Sequence, residues 1–115
     1  MSCPFPKSVR LLKREDFLRT WRQGRKKHTH NFLVVISNRD DDSVRLGITA
    51  SRKTGNAVIR NRIKRMVREY FRNHRSLFVR GADISIIAKQ SAARLDYASV
   101  SSELGGLFHD EGLLS

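Results

Sequence analysis

The clearest period in the chain runs through Ile59, Ile63, Met66, Val67 and Tyr70, spaced by three and four residues. That spacing gathers one face of a helix. At about 100° per residue, Arg60, Lys64, Arg65, Arg68 and Arg72 collect on the opposite side. The period therefore predicts a helix from residue 57 onward, with one packed face and one positive stripe. Gly55 and Asn56 break the chain just before it, and the Asn56 side-chain oxygen can accept a free backbone N–H of the first turn. Upstream, residues 32–36 and 44–50 are β-branched, apolar runs. They read as strands of an antiparallel hairpin joined by a polar turn at 39–43. Downstream, residues 82–89 carry Ile84, Ile86 and Ile87 and read as a buried strand. Strand, helix and strand in that order predict a crossover that lays the helix on the sheet.

The remaining patterns are shorter. Residues 14–23 predict a helix with Glu15 and Asp16 in its first turn, Arg22 in its last and Gly24 at its exit. Phe17 and Trp21 share one face, with Leu18 beside them, and the spacing alone reads all three as core. Residues 25–27 read as a basic turn, with His28 and His30 alternating as on a strand. Residues 73–81 read as a loop or a short extension of the central helix. Asp96 can cap a last helix with Tyr97, Val100, Leu104, Leu107 and Phe108 on one face. Gly105 and Gly106 weaken that helix by roughly 1 kcal/mol each relative to alanine. Pro4 and Pro6 disfavour a helix in residues 1–12, which read as an irregular basic arm, and residues 110–115 read as a tail.

Composition turns this outline towards a class of partner. A chain of 115 residues, 39% hydrophobic, supports a single domain (1–115) with one core. Lys and Arg number 23 against 11 Asp and Glu, a net charge of +12. So lopsided a charge on a small folded domain points to nucleic acid or an anionic membrane surface. It is also uneven: Arg94 is the only Lys or Arg beyond residue 89, whereas Asp96, Glu103, Asp110 and Glu111 all follow it. The stripe itself holds the reason to prefer a partner over a solvated face. A solvated face mixes signs to gain i,i+4 pairs, and from residue 52 to 72 only Glu69 is acidic. No run of about eighteen apolar residues is present and the N-terminus lacks a signal-type apolar stretch. Cys3 stands alone, so the expectation is a protein of a reducing cytoplasm, without membrane attachment.

Candidate chemistry is sparse. His28, His30, His74 and His109 have no carboxylate or nucleophile arranged around them in sequence. The three aspartates at 40–42 lack the glycine and distal glutamate of a calcium loop. The stretch 55–60 lacks the lysine-serine/threonine end of a phosphate-binding loop. The expectation is a binding protein with no catalytic residue and no metal site of its own.

One stretch is more specific than any of these patterns. Gly47-Ile48-Thr49-Ala50-Ser51-Arg52-Lys53-Thr54-Gly55-Asn56-Ala57-Val58, followed by Arg60-Asn61-Arg62-Ile63-Lys64-Arg65, resembles the protein subunit of bacterial ribonuclease P. Flanking features agree: Glu15-Asp16-Phe17 with an aromatic at Trp21 and then Gly24, the Phe32 strand, and Ile86-Ile87-Ala88-Lys89. The resemblance implies an α/β (α+β) two-layer sandwich of order αβββαβα, with an uncommon left-handed crossover at the central helix. It implies that a ribonuclease P RNA performs the hydrolysis with magnesium, and that the protein, one per RNA, grips the 5′ leader of precursor transfer RNA. By position, Arg52, Lys53, Asn56, Arg60, Asn61, Arg62, Lys64, Arg65 and Arg68 match the RNA-facing motif. Phe17, Trp21 and Lys89 match the leader-binding cleft, which moves Trp21 from core to platform. Tryptophan replaces the phenylalanine usual there, and Val35 stands where some members carry tyrosine. The alternative is a ribosomal or other structural RNA-binding protein with no role in catalysis. A stand-alone nuclease is the second rival.

Overall fold

The structure, a computed structural model of the chain, describes residues 14–114, except for the side chains of residues 14, 16 and 17. The basic arm expected at 1–12 lies outside the described residues. In chain order the elements are α1 (Arg14–Gln23), β1 (Arg25–His28), β2 (Phe32–Asn38), β3 (Val44–Ala50), α2 (Ala57–His74), β4 (Ala82–Ala88) and α3 (Tyr97–Asp110). Short 3₁₀ turns at Arg75–Leu77 and Gln90–Arg94 flank β4. The order is αβββαβα, as the resemblance implies, in a mixed α+β fold.

The strands lie in the order β1-β2-β4-β3. This corrects the expected hairpin: β2 and β3 do not pair, because β4 runs between them, antiparallel to β2 and parallel to β3. Two physical features favour this. All but one of the residues of β4 are buried, so the strand suits the centre of a sheet better than an edge. Residues 39–43 then bridge over its start: Arg39 N donates to Gly81 O at 3.1 Å, and Ala82 N to Ser43 O at 3.0 Å. A Cβ on Gly81 would lie 1.9 Å from Asp41 O, so the bridge passes where only glycine leaves room. The basic turn at 25–27 is likewise corrected to a strand, paired from Arg25 opposite Ile36 to His28 opposite Leu33. Its Arg, Lys and Lys make a charged edge, which discourages pairing with other chains.

The predicted crossover is present, with α2 joining β3 to its parallel neighbour β4. Asn56 caps α2, its Oδ1 accepting from Ile59 N at 3.0 Å. Ile63, Met66, Val67, Tyr70 and Phe71 are its buried face. Each such side chain contributes roughly 1.5–3 kcal/mol by leaving water. Asp96 caps α3, accepting from Ser99 N at 2.8 Å, and Val100, Leu104 and Phe108 turn inward. Phe71, Phe78 and Phe108 join in stacked, edge and tilted contacts with centroids 5.4–5.6 Å apart, tying α2 to α3 and the segment after α2.

Strand alternation assigns Phe32, Val34, Ile36, Leu46, Ile84 and Ile86 to this α2–α3 side of the sheet. The opposite side presents Val35, Asp83 and Ser85, which are also buried, and α1 packs across β2 and β4 there. Gly24 ends α1 close against the sheet: its N donates to Thr20 O at 2.7 Å, and a Cβ on it would sit 2.8 Å from a Val35 methyl. Among the described side chains of α1, Thr20 is the one turned inward. Leu18, 200° away around the helix, is 44% exposed, which corrects its reading as core.

Candidate nucleic-acid interface

The turn from β3 into α2 is built for a tight backbone. Thr54 N donates to Ser51 O at 3.0 Å, closing a turn that projects Arg52 and Lys53 outward. Gly55 follows with φ +156°, and a Cβ there would meet Ile59 Cγ2 at 2.9 Å. Glycine is required both by conformation and by the close approach of Ile59. Asn56 then spends its side chain on the cap. The first turn of α2 holds no acid, so the positive end of the helix dipole is left unneutralised by the chain.

Along α2, Asn61, Arg62, Arg65 and Arg68 are exposed, while Arg60 and Lys64 are half-buried at the margin of the packed face. Among the described residues, no carboxylate comes within ion-pair distance of Arg52, Lys53, Arg60, Arg62, Lys64, Arg65 or Arg68. Arg72, the fifth cation of the predicted stripe, differs: its Nη2 lies 3.6 Å from Glu69 Oε1. Seven cations thus lack a carboxylate in ion-pair distance, with Arg62 feeling the more distant charge of Asp96, an arrangement whose self-repulsion a polyanion relieves.

The second part of the surface lies on the α1 side of the sheet. Trp21 is 37% exposed there, which overturns its reading as core from spacing. The Lys26 ammonium stands 4.7 Å over its ring and donates to Trp21 O at 2.9 Å. Lys89, just past β4, is half-buried, and its Nζ donates to Thr29 O at 2.7 Å. Val35 is fully buried beneath α1 and presents no stacking surface. Phe17 lies on α1, but its side chain lies outside the described residues.

The pattern along the chain missed three anchors. Glu103 on α3 accepts from Thr29 Oγ1, from Asn31 N at 2.9 Å and from Asn31 Nδ2 at 2.6 Å, fixing the β1–β2 turn beside Lys89. Asp83, buried on the α1 side, accepts from Arg45 Nε at 2.7 Å and from Arg39 Nη1 at 3.2 Å. Burial pushes the Asp83 carboxyl up, but the hydrogen bonds and charges of Arg45 and Arg39 outweigh it and hold it below its ordinary value. Asp41 is not merely solvated: hydrogen bonds from Arg39 and Ser43 hold its carboxyl well below the usual range. The pairs of Glu103 and Asp83 span from 38 to 74 residues of chain and leave no local period. Among the described residues no group of three His, Cys, Asp or Glu side chains gathers to hold a metal ion. Nor is any described helix long and apolar enough to cross a membrane.

A small α+β domain with one helix face given over to unpaired cations belongs to the class of polyanion-binding proteins. Comparison with known proteins narrows that class. The ribonuclease P family model matches residues 5–111. The ribonuclease P protein component of Desulforapulum autotrophicum is 50% identical over 107 residues, covering 93% of this chain and 92% of the relative. That of a Geobacter species is 46% identical over 93% of this chain and 91% of the relative. The RNase P protein of Staphylococcus aureus superposes with a TM-score of 0.85 at 34% identity, over 95% of this chain and 100% of that one. The Thermotoga maritima protein superposes at 0.78 and 35% identity, over 85% of this chain and 93% of that one. The chain belongs to the ribonuclease P protein family, and its function is that of a ribonuclease P protein subunit.

Proposed function

We propose that this subunit binds a ribonuclease P RNA through α2 and the turn before it, and holds the 5′ leader of precursor transfer RNA along the α1 side of the sheet. Hydrolysis belongs to the RNA, which supplies its own magnesium, with one protein per RNA, in the cytoplasm. The observation that carries this reading is the set of seven cations on α2 and the turn before it without a carboxylate in ion-pair distance, together with an exposed indole on α1. Arg52, Lys53, Arg60, Arg62, Lys64, Arg65 and Arg68 neutralise phosphates and lower the repulsion between two approaching RNAs. Asn61 adds a neutral donor and acceptor among them. Asn56 orients the first turn of α2 through its cap and, being exposed, meets RNA beside Arg52 and Lys53. Phe17 and Trp21 stack leader bases, and Lys89 lies along the leader path.

Reconstitution tests the assignment. Precursor transfer RNA is incubated with magnesium and with the protein, the large RNA, or both. Efficient leader release at low magnesium is expected only with both. Specific release by RNA-free protein would mean a stand-alone nuclease. RNA binding with no gain in cleavage would leave a structural RNA-binding protein.

A further inference from the structure

The cations of β1 divide by strand alternation. Arg25 and Lys27 turn to the α3 side, where they lie 3.3 Å and 3.7 Å from the two carboxylate oxygens of Glu111. Lys26 pairs with Val35 and so faces the other side, the one α1 covers. It has no carboxylate there among the described residues. Instead its ammonium stands 4.7 Å over the Trp21 ring and donates to the Trp21 carbonyl at 2.9 Å. The hydrogen bond fixes the ammonium relative to the backbone that carries the indole, and the ring contact fixes the indole relative to the ammonium. Trp21 remains 37% exposed, so the brace leaves part of its surface open.

We propose that Lys26 is a leader-positioning residue: it braces one face of the Trp21 indole so that a leader base stacks on the other. This rests on the reading of Trp21 as a leader platform. An exposed aromatic ring otherwise samples several rotamers, and the base that stacks on it must bear the cost of ordering it. A ring already held by a cation and by strand β1 is preorganised. The brace uses a cation–π contact on a partly exposed ring, worth roughly a two- to fivefold change in affinity when lost.

The test uses the full chain reconstituted with its RNA subunit, and compares Lys26→Met, Lys26→Arg and Trp21→Ala. Affinity is measured for precursor transfer RNA with a leader and for mature transfer RNA without one, across a salt series. Trp21 is the only tryptophan, so acrylamide quenching of its emission reads the brace directly in the free protein. For Lys26→Met we expect stronger quenching and a two- to fivefold loss of precursor affinity. Mature RNA binding and the salt slope should be unchanged, and Lys26→Arg should restore both readouts. A lowered salt slope would make Lys26 a phosphate contact instead. Equal losses for both RNAs, or no loss, would also overturn the proposal. If Trp21→Ala shows a leader-dependent loss and Lys26→Met does not, Lys26 alone is wrongly assigned. If Trp21→Ala shows none, the platform reading fails and the brace with it.

Discussion

At the scale of single residues, the cations of α2 and the acids of the sheet do opposite things. Arg65 is exposed and has no carboxylate partner among the described residues. Arg65→Ala should leave melting almost unchanged and weaken RNA binding. The log–log salt dependence should lose roughly 0.7–0.9 of slope, the share of one phosphate contact. An unchanged slope would return Arg65 to the solvent. Asp83 is buried between Arg45 and Arg39 and belongs to the fold. Its folded carboxyl lies below its unfolded value of about 4, so the stabilisation is complete above that pH. It is lost as pH falls from there through the folded value. Asp83→Asn should cost about 3 kcal/mol at pH 7, because it removes the buried charge that Arg45 and Arg39 share, even though Arg39 keeps Asp41. In urea melts, the gap between wild type and variant should narrow below about pH 4. A gap constant down to pH 2 would show that the pair carries none of the acid sensitivity. Sequence disclosed the first residue and not the second. Arg65 is marked by a local period, whereas Asp83 meets Arg45 only after β4 enters the sheet.

At the scale of elements, what was legible was whatever a single segment decides. The α2 helix, its Asn56 cap and most of its buried face follow from local spacing, although Phe71 joins that face unannounced and Ile59 is only partly buried. The Asp96 cap and the inward side of α3 follow likewise. Pairing was not legible, because a hairpin of β2 with β3 and a sheet with β4 between them share one hydrophobic pattern. The distinguishing residue is Gly81, ambiguous as a loop glycine until the bridge at 39–43 is seen crossing it. The role of the α1 aromatics was ambiguous for a related reason. Phe17 and Trp21 sit at a spacing that serves a core or a stacking surface, and only the inward Thr20 shows how α1 is rotated. Gly81→Ala should therefore destabilise far beyond the usual glycine-to-alanine change in a loop. The added methyl meets backbone at 1.9 Å, which must move the bridge or the strand. A loss above about 2 kcal/mol in chemical denaturation is expected. A neutral result would mean that residues 39–43 pass elsewhere, and with them the strand order.

At the scale of the whole molecule, the same charge that attracts RNA opposes the fold. The net charge is +12 on a body with a radius of gyration of 13.1 Å. At 0.01 M salt the screening length is about 30 Å, so every cation feels nearly every other; at 0.15 M it is about 8 Å, so only neighbours interact. Unfolding spreads the charges apart, and self-repulsion therefore lowers stability most in dilute salt. Opposing this, the ion pairs of Arg39, Arg45 and Asp83 are buried enough to be screened little. The free protein should thus melt several degrees higher at 0.3 M than at 0.01 M sodium chloride, where about 1 kcal/mol moves a domain of this size by roughly 4–8 °C. RNA affinity should fall steeply over the same range as the RNA's counterions compete. The two dependences share one origin but run in opposite directions, and alanine at Arg62, Arg65 and Arg68 together should flatten both. Calorimetry of the free triple variant and of wild type, beside a binding titration at each salt, measures them on the same samples. If the triple variant lost its RNA salt slope but kept the full thermal response, the repulsion would lie elsewhere on the surface, and α2 would bind RNA without having cost the fold anything.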